Sequence, residues 1–482
     1  MTESTLNAGS EAVASPLAES EAAGSPGAAP WTPRIAAVVC NWCTYAGADM
    51  AGTTRRAYPA SVRMLRVPCS GRVNPLFILK AFERGADGVL VSGCHPGDCH
   101  YVQGNYFARR RFTALRALLS FVGLDPRRLH FSWVSASEGI KWAKVVDDVT
   151  KSVTEAGPLT DWGKPPLEAP PTLPAAGTAP RGYEMATDHD AATSHLRALA
   201  ASLLREGKVD TVLGWARGSL PGRRIPTFVR SAGALDTLLF DHRCHADLAA
   251  YLAGPGRVRG KVAVLLKACD ARAAAILLQE KKIAREDVVL VGVSCAGVGE
   301  DGRLAAKCWP CNGEVASLCD WTVSSAGVKA GAVASGAKRA VAPDPRDAQI
   351  AYLESRPAAE RWAFWQEQFA DCLRCYACRG VCPLCYCGSC VAEQHKPQWV
   401  PTPIDGSGNT TWNVIRAYHL AGRCSGCDEC ARVCPANIRL DLLNRRLAME
   451  VEKRFGYRAG ENATGAPPLA AFRPDDPQEF IY

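Results

Sequence analysis

Cys372-x2-Cys375-x2-Cys378-x3-Cys382-Pro383 and Cys424-x2-Cys427-x2-Cys430-x3-Cys434-Pro435 repeat one spacing. Three thiolates in a tight turn can take three corners of an iron–sulfur cubane. A fourth, placed just before proline, begins a segment that crosses to the other cubane. The spacing therefore assigns Cys372, Cys375, Cys378 and Cys434 to one 4Fe–4S cluster, and Cys424, Cys427, Cys430 and Cys382 to a second. Structural zinc favours paired C-x2-C knuckles, so it competes poorly for two four-cysteine runs that each end in proline. Cys385, Cys387 and Cys390 follow the first run. A further 4Fe–4S cluster there would need a fourth ligand from elsewhere; reactive or structural thiols are the alternative.

This double run resembles the motif of bacterial two-cluster ferredoxins. It departs from a minimal ferredoxin in the insertion Ala392–Leu420, which carries Trp399 and Trp412 as expected packing residues.

Cys40, Cys43, Cys69, Cys94 and Cys99 lie far upstream. The elements that must position them read as alternating strands and helices: strands Ile35–Val39, Arg63–Val67 and Gly88–Val91, helices Leu76–Arg84 and Phe112–Phe121. Such alternation implies a parallel sheet covered by helices. Each strand runs into cysteine, and loops at the carboxyl ends of parallel strands converge where ligands bind. Buried cysteines acting as small hydrophobes are the plainer alternative. The block closely resembles the delta subunit of methyl-viologen-reducing hydrogenase, through Cys40-Asn41-Trp42-Cys43, Tyr45-Ala46-Gly47-Ala48-Asp49, Cys69-Ser70-Gly71-Arg72, Gly93-Cys94-His95-Pro96-Gly97-Asp98-Cys99-His100 and Trp133-Val134-Ser135-Ala136-Ser137-Glu138-Gly139. The resemblance implies a 2Fe–2S cluster and electron transfer from a hydrogenase or formate dehydrogenase to the flavin subunit of a heterodisulfide reductase. Such a cluster takes four cysteines, so one of the five is spare, and spacing does not say which. His95 and His100 flank this site and could tune its hydrogen bonding or carry a proton; Asp49 and Asp98 stand nearby.

Between these blocks, strands are expected at Thr211–Leu213, Thr237–Phe240, Val262–Leu266 and Val288–Val293. Cys269 and Cys295 follow the last two, and Cys308-Trp309-Pro310-Cys311 comes next. Cys269, Cys295, Cys308 and Cys311 could hold a third 4Fe–4S cluster, with zinc or structural thiols as the alternative. Cys244 and Cys319 read as plain thiols. The block is similar to the beta subunit of deazaflavin-dependent hydrogenases and formate dehydrogenases, through Cys269-Asp270-Ala271-Arg272, Gly292-Val293-Ser294-Cys295 and the Cys308/Cys311 pair. The resemblance implies a flavin beside a 4Fe–4S cluster. No G-x-G-x-x-G follows a strand here. The loop Gly214–Gly218 and Arg223-Arg224 could meet a phosphate or be ordinary loop.

The chain has 482 residues, 48% of them hydrophobic, and 22 cysteines, with a net charge of +8. Its first 30 residues lack the basic start and apolar run of an export signal. A reducing, cytoplasmic setting is therefore expected, and there clustered thiols argue for metal or redox chemistry. No apolar run reaches membrane-spanning length. Beyond Arg109–Arg111 no basic block points to nucleic acid.

The expected organisation is a disordered tail at 1–30, a 2Fe–2S block at 31–155 and a Pro/Ala-rich linker at 156–182. A second block follows at 183–345, a two-cluster ferredoxin block at 360–457 and an irregular tail at 458–482. The fold class is multidomain α/β, with two parallel-sheet domains and a C-terminal ferredoxin-like domain, α+β or helical. The expected function is an electron relay in a soluble complex that could be electron-bifurcating, with a heterodisulfide-reductase-like flavin subunit and other redox subunits as partners and catalysis left to them. One alternative is a flavoenzyme oxidising a deazaflavin or nicotinamide. Another is a thiol–disulfide enzyme using Cys385, Cys387 and Cys390.

Overall fold

Apolar runs that end at cysteine build the first sheet. In the computed structural model, β1 (Ile35–Cys40), β2 (Val62–Val67), β3 (Gly88–Gly93) and β4 (Leu129–Trp133) are parallel, in the order β2-β1-β3-β4. The crossover helices are α1 (Thr44–Thr53), α2 (Pro75–Glu83), α3 (Gly104–Val122) and α4 (Gly139–Ala156). Strand residues alternate between faces. Ile35, Ala37, Val39 and Leu90 pack with Trp142 and Val146 of α4, whereas Val38, Val89 and Val91 pack with Leu76 of α2 and Leu115 of α3. The order reverses between β1 and β3, the switch point where open α/β sheets hold ligands.

The structure describes residues 31–167, 169–175, 189–300, 303–313, 317–331, 341–461 and 464–482. The expected tail at 1–30, the linker positions 168 and 176–182, and the expected start of the middle block at 183–188 lie outside the described residues.

The strand β4 is absent from the sequence-based expectation, because His130 and Ser132 interrupt its apolar pattern. It is nonetheless fully buried. Ser132 hydrogen-bonds Ser92 at 2.7 Å, and the ring of His130 reaches the Arg127 carbonyl at 2.7 Å. Its outer edge is covered by the closing segment: Trp133 N–H donates to Tyr482 and Tyr482 N–H to Phe131, each at 2.9 Å. An open strand edge invites pairing with other chains, and this one is closed from within.

The same segment absorbs the one basic block. Arg110 donates to both oxygens of Asp476, at 2.6 and 2.9 Å, and Arg109 to the Arg473 carbonyl at 2.6 Å. Both arginines and Asp476 are buried. Removing one partner of a buried pair leaves an uncompensated charge. Arg110→Ala should therefore lower unfolding stability by about 3–5 kcal/mol, read from denaturant titration, and Arg110→Ala with Asp476→Asn should recover part of that loss.

The second sheet is built from β5 (Thr211–Arg217), β6 (Arg224–Val229), β7 (Val262–Leu266), β8 (Val288–Val293), β11 (Trp321–Ser324) and β12 (Gly327–Ala330). A short ladder, β9 (Gly299–Glu300) with β10 (Arg303–Leu304), lies between β8 and β11. The order is β12-β11-β8-β7-β5-β6. The inner four strands are parallel and the two outer ones antiparallel. The helices α5 (His189–Arg205) and α6 (Ala268–Gln279) flank it. Thr237–Phe240, expected as a strand, is instead the end of a 3-10 turn followed by a single bridge between Leu239 and Trp215. The edge place belongs to β6, where Pro226 is tolerated because an edge strand need not donate on both sides.

The remainder is helical: α7 (Pro345–Ser355), α8 (Ala358–Ala370), α9 (Ala377–Gly380), α10 (Gly406–His419), α11 (Glu429–Arg432) and α12 (Leu440–Phe455). Among the described residues from 341 to 461 there is no strand, so of the two forms expected for the ferredoxin-like region the helical one holds. Trp365, Phe369, Ile415 and Leu443 join the α2/α3 face of the first sheet in one hydrophobic core. Residues 33–482 form one compact unit. The described part of the linker is irregular but anchored: Trp162 is buried, stacks on Phe82 at 5.5 Å, and is followed by Gly163, whose N–H donates to Gln366 at 2.9 Å. Among the described residues no helix is long and apolar enough to cross a membrane.

Candidate metal centres

The parallel strands deliver thiols to one edge of the first sheet. Cys40 ends β1, Cys43 precedes α1, Cys69 follows β2, and Cys94 and Cys99 follow β3. All are buried except the half-buried Cys43. The sulfurs of Cys40 and Cys94 stand 3.6 Å apart and those of Cys69 and Cys99 3.8 Å apart. With metal–sulfur bonds of about 2.3 Å, two ligands on one tetrahedral metal stand roughly 3.8 Å apart. Two such pairs fit the two irons of a 2Fe–2S cluster. The Cys94 thiol hydrogen-bonds Cys40, which pulls Cys40 toward thiolate, and the N–H groups of Trp42, Cys43 and Ser70 add to this against burial. Cys43 is also bonded to Cys94, but burial keeps its thiol above the ordinary value. Gly71 N–H donates to the Cys69 sulfur at 3.4 Å. Gly104, at the start of α3, leaves room that a side chain would fill: a Cβ there would lie 2.3 Å from the Cys69 sulfur.

The rim of this edge carries His95, whose Nε2 meets Glu138 Oε2 at 2.7 Å. That oxygen also accepts from Ser135 N–H at 2.8 Å. His100 stacks on exposed Trp42 with ring centroids 3.8 Å apart. Asp49 and Asp98 are exposed and bear on the solvent side.

The middle block gathers Cys269, Cys295, Cys308 and Cys311 around one cavity. Cys269 lies in the first turn of α6, Cys295 just beyond β8, and the pair Cys308/Cys311 after the β9–β10 ladder. Backbone N–H groups of Gly297, Val298 and Gly313 donate to the sulfurs of Cys295, Cys308 and Cys311, each at 3.4 Å. Such N–H···S bonds stabilise a negatively charged cluster. Burial pushes the Cys295 thiol up to about 12, with the Cys308 charge adding. Metal binding must overcome this by replacing the proton. Cys244 and Cys319 are buried in the hydrophobic core of this block.

In the helical region the two cysteine turns share a backbone. Arg374 and Tyr376 in the first, and Gly426 and Asp428 in the second, occupy matching left-handed positions. That conformation is unfavourable for non-glycine residues, and Arg374 is held there by its hydrogen bond to the Pro401 carbonyl. Cys382 lines the same cavity as Cys424, Cys427 and Cys430. Burial raises the Cys378 thiol, and the charges of Cys372, Cys434 and Cys375 add to it. The geometry therefore groups Cys372, Cys375, Cys378 with Cys434, and Cys424, Cys427, Cys430 with Cys382.

Arg416 of α10 is buried, donates to the Cys378 carbonyl at 2.8 Å, and interacts electrostatically with Cys430, Cys378 and Cys382. Its Nε and Nη1 have no hydrogen-bond partner among the described residues. Orphaned buried donors are rare and costly, and anionic clusters on either side would satisfy them. Asn444 donates to the Cys430 sulfur at 3.5 Å.

Cys385, Cys387 and Cys390 face different neighbours. The Cys382 thiol donates to the Cys385 sulfur, Arg379 donates to the Cys390 sulfur, and Cys387 is exposed. Trp412 packs edge-on to Tyr376 and Trp399 lies against Phe77, with centroids 5.0 and 5.5 Å apart. Gly104, Lys307 and Arg416 escape sequence reasoning, because their roles depend on approaches between distant segments. The one local signal is Lys307 standing directly before Cys308.

The profile of the family described as methyl-viologen-reducing hydrogenase, delta subunit, matches residues 35–157. The iron-sulfur subunit of the F420-non-reducing hydrogenase of Archaeoglobus profundus is 52% identical over 129 residues, which is 27% of this chain and 94% of that relative. The iron-sulfur subunit of the vhc F420-non-reducing hydrogenase of Methanococcus voltae is 51% identical over 130 residues, 27% of this chain and 90% of the relative. One subunit of the ferredoxin:CoB-CoM heterodisulfide reductase of Methanosarcina mazei is 44% identical over 127 residues, but these are only 16% of its length. Through residues 35–157, where five cysteines close on the edge of the first sheet, the chain belongs to the methyl-viologen-reducing hydrogenase delta-subunit family.

Proposed function

We propose that this chain is an iron–sulfur relay with one 2Fe–2S and three 4Fe–4S clusters, linking a hydrogenase, formate dehydrogenase or similar reductase to a heterodisulfide-reductase-like flavin subunit in the cytoplasm. The observation that carries the reading is the meeting of Cys382 with Cys424, Cys427 and Cys430 across the two motifs. Cys40 with Cys94 and Cys69 with Cys99 would hold the 2Fe–2S cluster, and Cys269, Cys295, Cys308 and Cys311 the third cubane. When bound, the clusters supply one-electron storage and transfer. The protein's part is to hold the thiolates, donate N–H groups to sulfur and bury the sites, which together set the potentials. The names of the relatives, an iron-sulfur subunit of a hydrogenase and one subunit of a heterodisulfide reductase, support the class of partner.

The test is iron, sulfide, zinc and flavin content of anaerobically purified chain, with paramagnetic resonance of the reduced state. About 14 iron atoms with negligible zinc and flavin are expected. About 10 would remove the middle cluster, and fewer than about 8 would sink the ferredoxin reading. Stoichiometric flavin would recast the chain as a flavoenzyme. The pairing also makes Cys43 the spare thiol, so Cys43→Ser should keep the 2Fe–2S spectrum while Cys94→Ser abolishes it.

A further inference from the structure

Lys307 stands between two thiol cages. It lines the cavity of Cys269, Cys295, Cys308 and Cys311 and also the cavity of Cys382, Cys424, Cys427 and Cys430. Its ammonium donates to the Cys427 carbonyl at 2.8 Å and lies 3.5 Å from the Glu429 carboxylate. Both side chains are buried, at 5% and 2% exposure, so solvent screens neither. The two residues are neighbours of cysteines in different cages: Lys307 precedes Cys308, and Glu429 precedes Cys430. One ion pair thus clips the middle block's cysteine loop to the second ferredoxin turn. Glu429 is also paired with Arg432, which donates to its two oxygens at 3.0 and 2.6 Å. The trio Lys307, Glu429 and Arg432 therefore carries one net positive charge.

A buried cation beside two anionic centres lowers the cost of adding an electron to either, and its hydrogen bond shortens the gap between them to one non-covalent contact. We infer that Lys307 is a positioning residue that joins the middle cage to the second ferredoxin cage as neighbouring stations and raises the reduction potential of both. The inference rests on the relay reading above. Exchange between the cages moves one electron, oxidising one and reducing the other, with no proton or bond transferred. Arg416 occupies the analogous place between the two ferredoxin cages. The order is then the middle cage, Lys307, the second ferredoxin cage, Arg416, and the first ferredoxin cage.

The experiment compares full-length wild type, Lys307→Met, Lys307→Arg and Glu429→Gln. It measures iron content, potentiometric titration followed by paramagnetic resonance, and the magnetic interaction between reduced centres. With iron load unchanged, Lys307→Met should make two centres roughly tenfold harder to reduce, about 59 mV lower for a one-electron couple. Lys307→Arg should restore most of the shift. Glu429→Gln, which removes the opposing charge, should move the same centres upward. Opposite signs from two substitutions in one ion pair separate an electrostatic role from general damage to the fold. Full iron with unmoved potentials in both Lys307→Met and Glu429→Gln would overturn the inference alone. Wild type holding about 10 iron atoms would instead remove the middle cluster, and the relay reading there would fail with it.

Discussion

Cys382→Ser should erase the signal of the second cysteine motif, not of the motif in which it sits. The expected loss is about 4 of some 14 iron atoms, and the difference spectrum should match that of Cys427→Ser. Cys434→Ser should in turn match Cys375→Ser. The reason is geometric. The turn through Arg374, Cys375 and Tyr376 is tightened by two left-handed residues, and α9 then carries the chain away from it. By Cys382 the thiol has entered the cavity of Cys424, Cys427 and Cys430, and Pro383 lines that cavity beside it. If Cys382→Ser matched Cys375→Ser, the crossed assignment would be wrong.

Gly104→Ala should strip the first block of its cluster while leaving the rest of the chain loaded. A methyl group at 104 would stand 2.3 Å from the Cys69 sulfur and 3.3 Å from the Cys99 sulfur. Neither sulfur can retreat far, because Cys69 is held by Gly71 N–H and both are buried. Alanine is the better helix former and Gly104 opens α3, so the fold itself should not suffer. The expected result is the loss of about 2 iron atoms and of the 2Fe–2S spectrum, with the 4Fe–4S signals retained. Gly52→Ala is the control. It lies in α1 with open space around its Cβ position and should be neutral or gain up to about 1 kcal/mol. Survival of the 2Fe–2S spectrum in Gly104→Ala would mean that Cys69 and Cys99 can part, against their pairing on one iron.

Much of this arrangement is legible in the sequence because its chemistry is local. Cysteines three and four residues apart announce their own turns, and apolar runs such as Val262–Leu266 and Val288–Val293 need only one buried sheet to explain them. Parallel alternation then places Cys40, Cys69 and Cys94 at a common edge without further information. What escapes are residues whose roles depend on distant partners. Ser132 and His130 look wrong for a buried strand until Ser92 and the Arg127 carbonyl satisfy them. Arg109 and Arg110 look like a surface patch until the closing segment folds over them. Thr237–Phe240 has strand-like composition, but β6 occupies the place beside β5. Lys307 and Arg416 gain meaning only once two cages are near each other.

The covering of β4 also imposes a timetable on biosynthesis. Arg110 and Asp476 are 366 residues apart, so at about 5–20 residues per second the ribosome needs roughly 20–70 s to deliver the second after the first. Throughout that interval the emerging amino-terminal block has its sheet but not its last partner, with two arginines uncompensated and a strand edge open. Cofactor insertion at the edge formed by Cys40, Cys69 and Cys94 can begin early, yet the block reaches its final stability only once the segment around Asp476 has been made. A nascent chain stalled in between would be the form most exposed to aggregation and the one most in need of a chaperone.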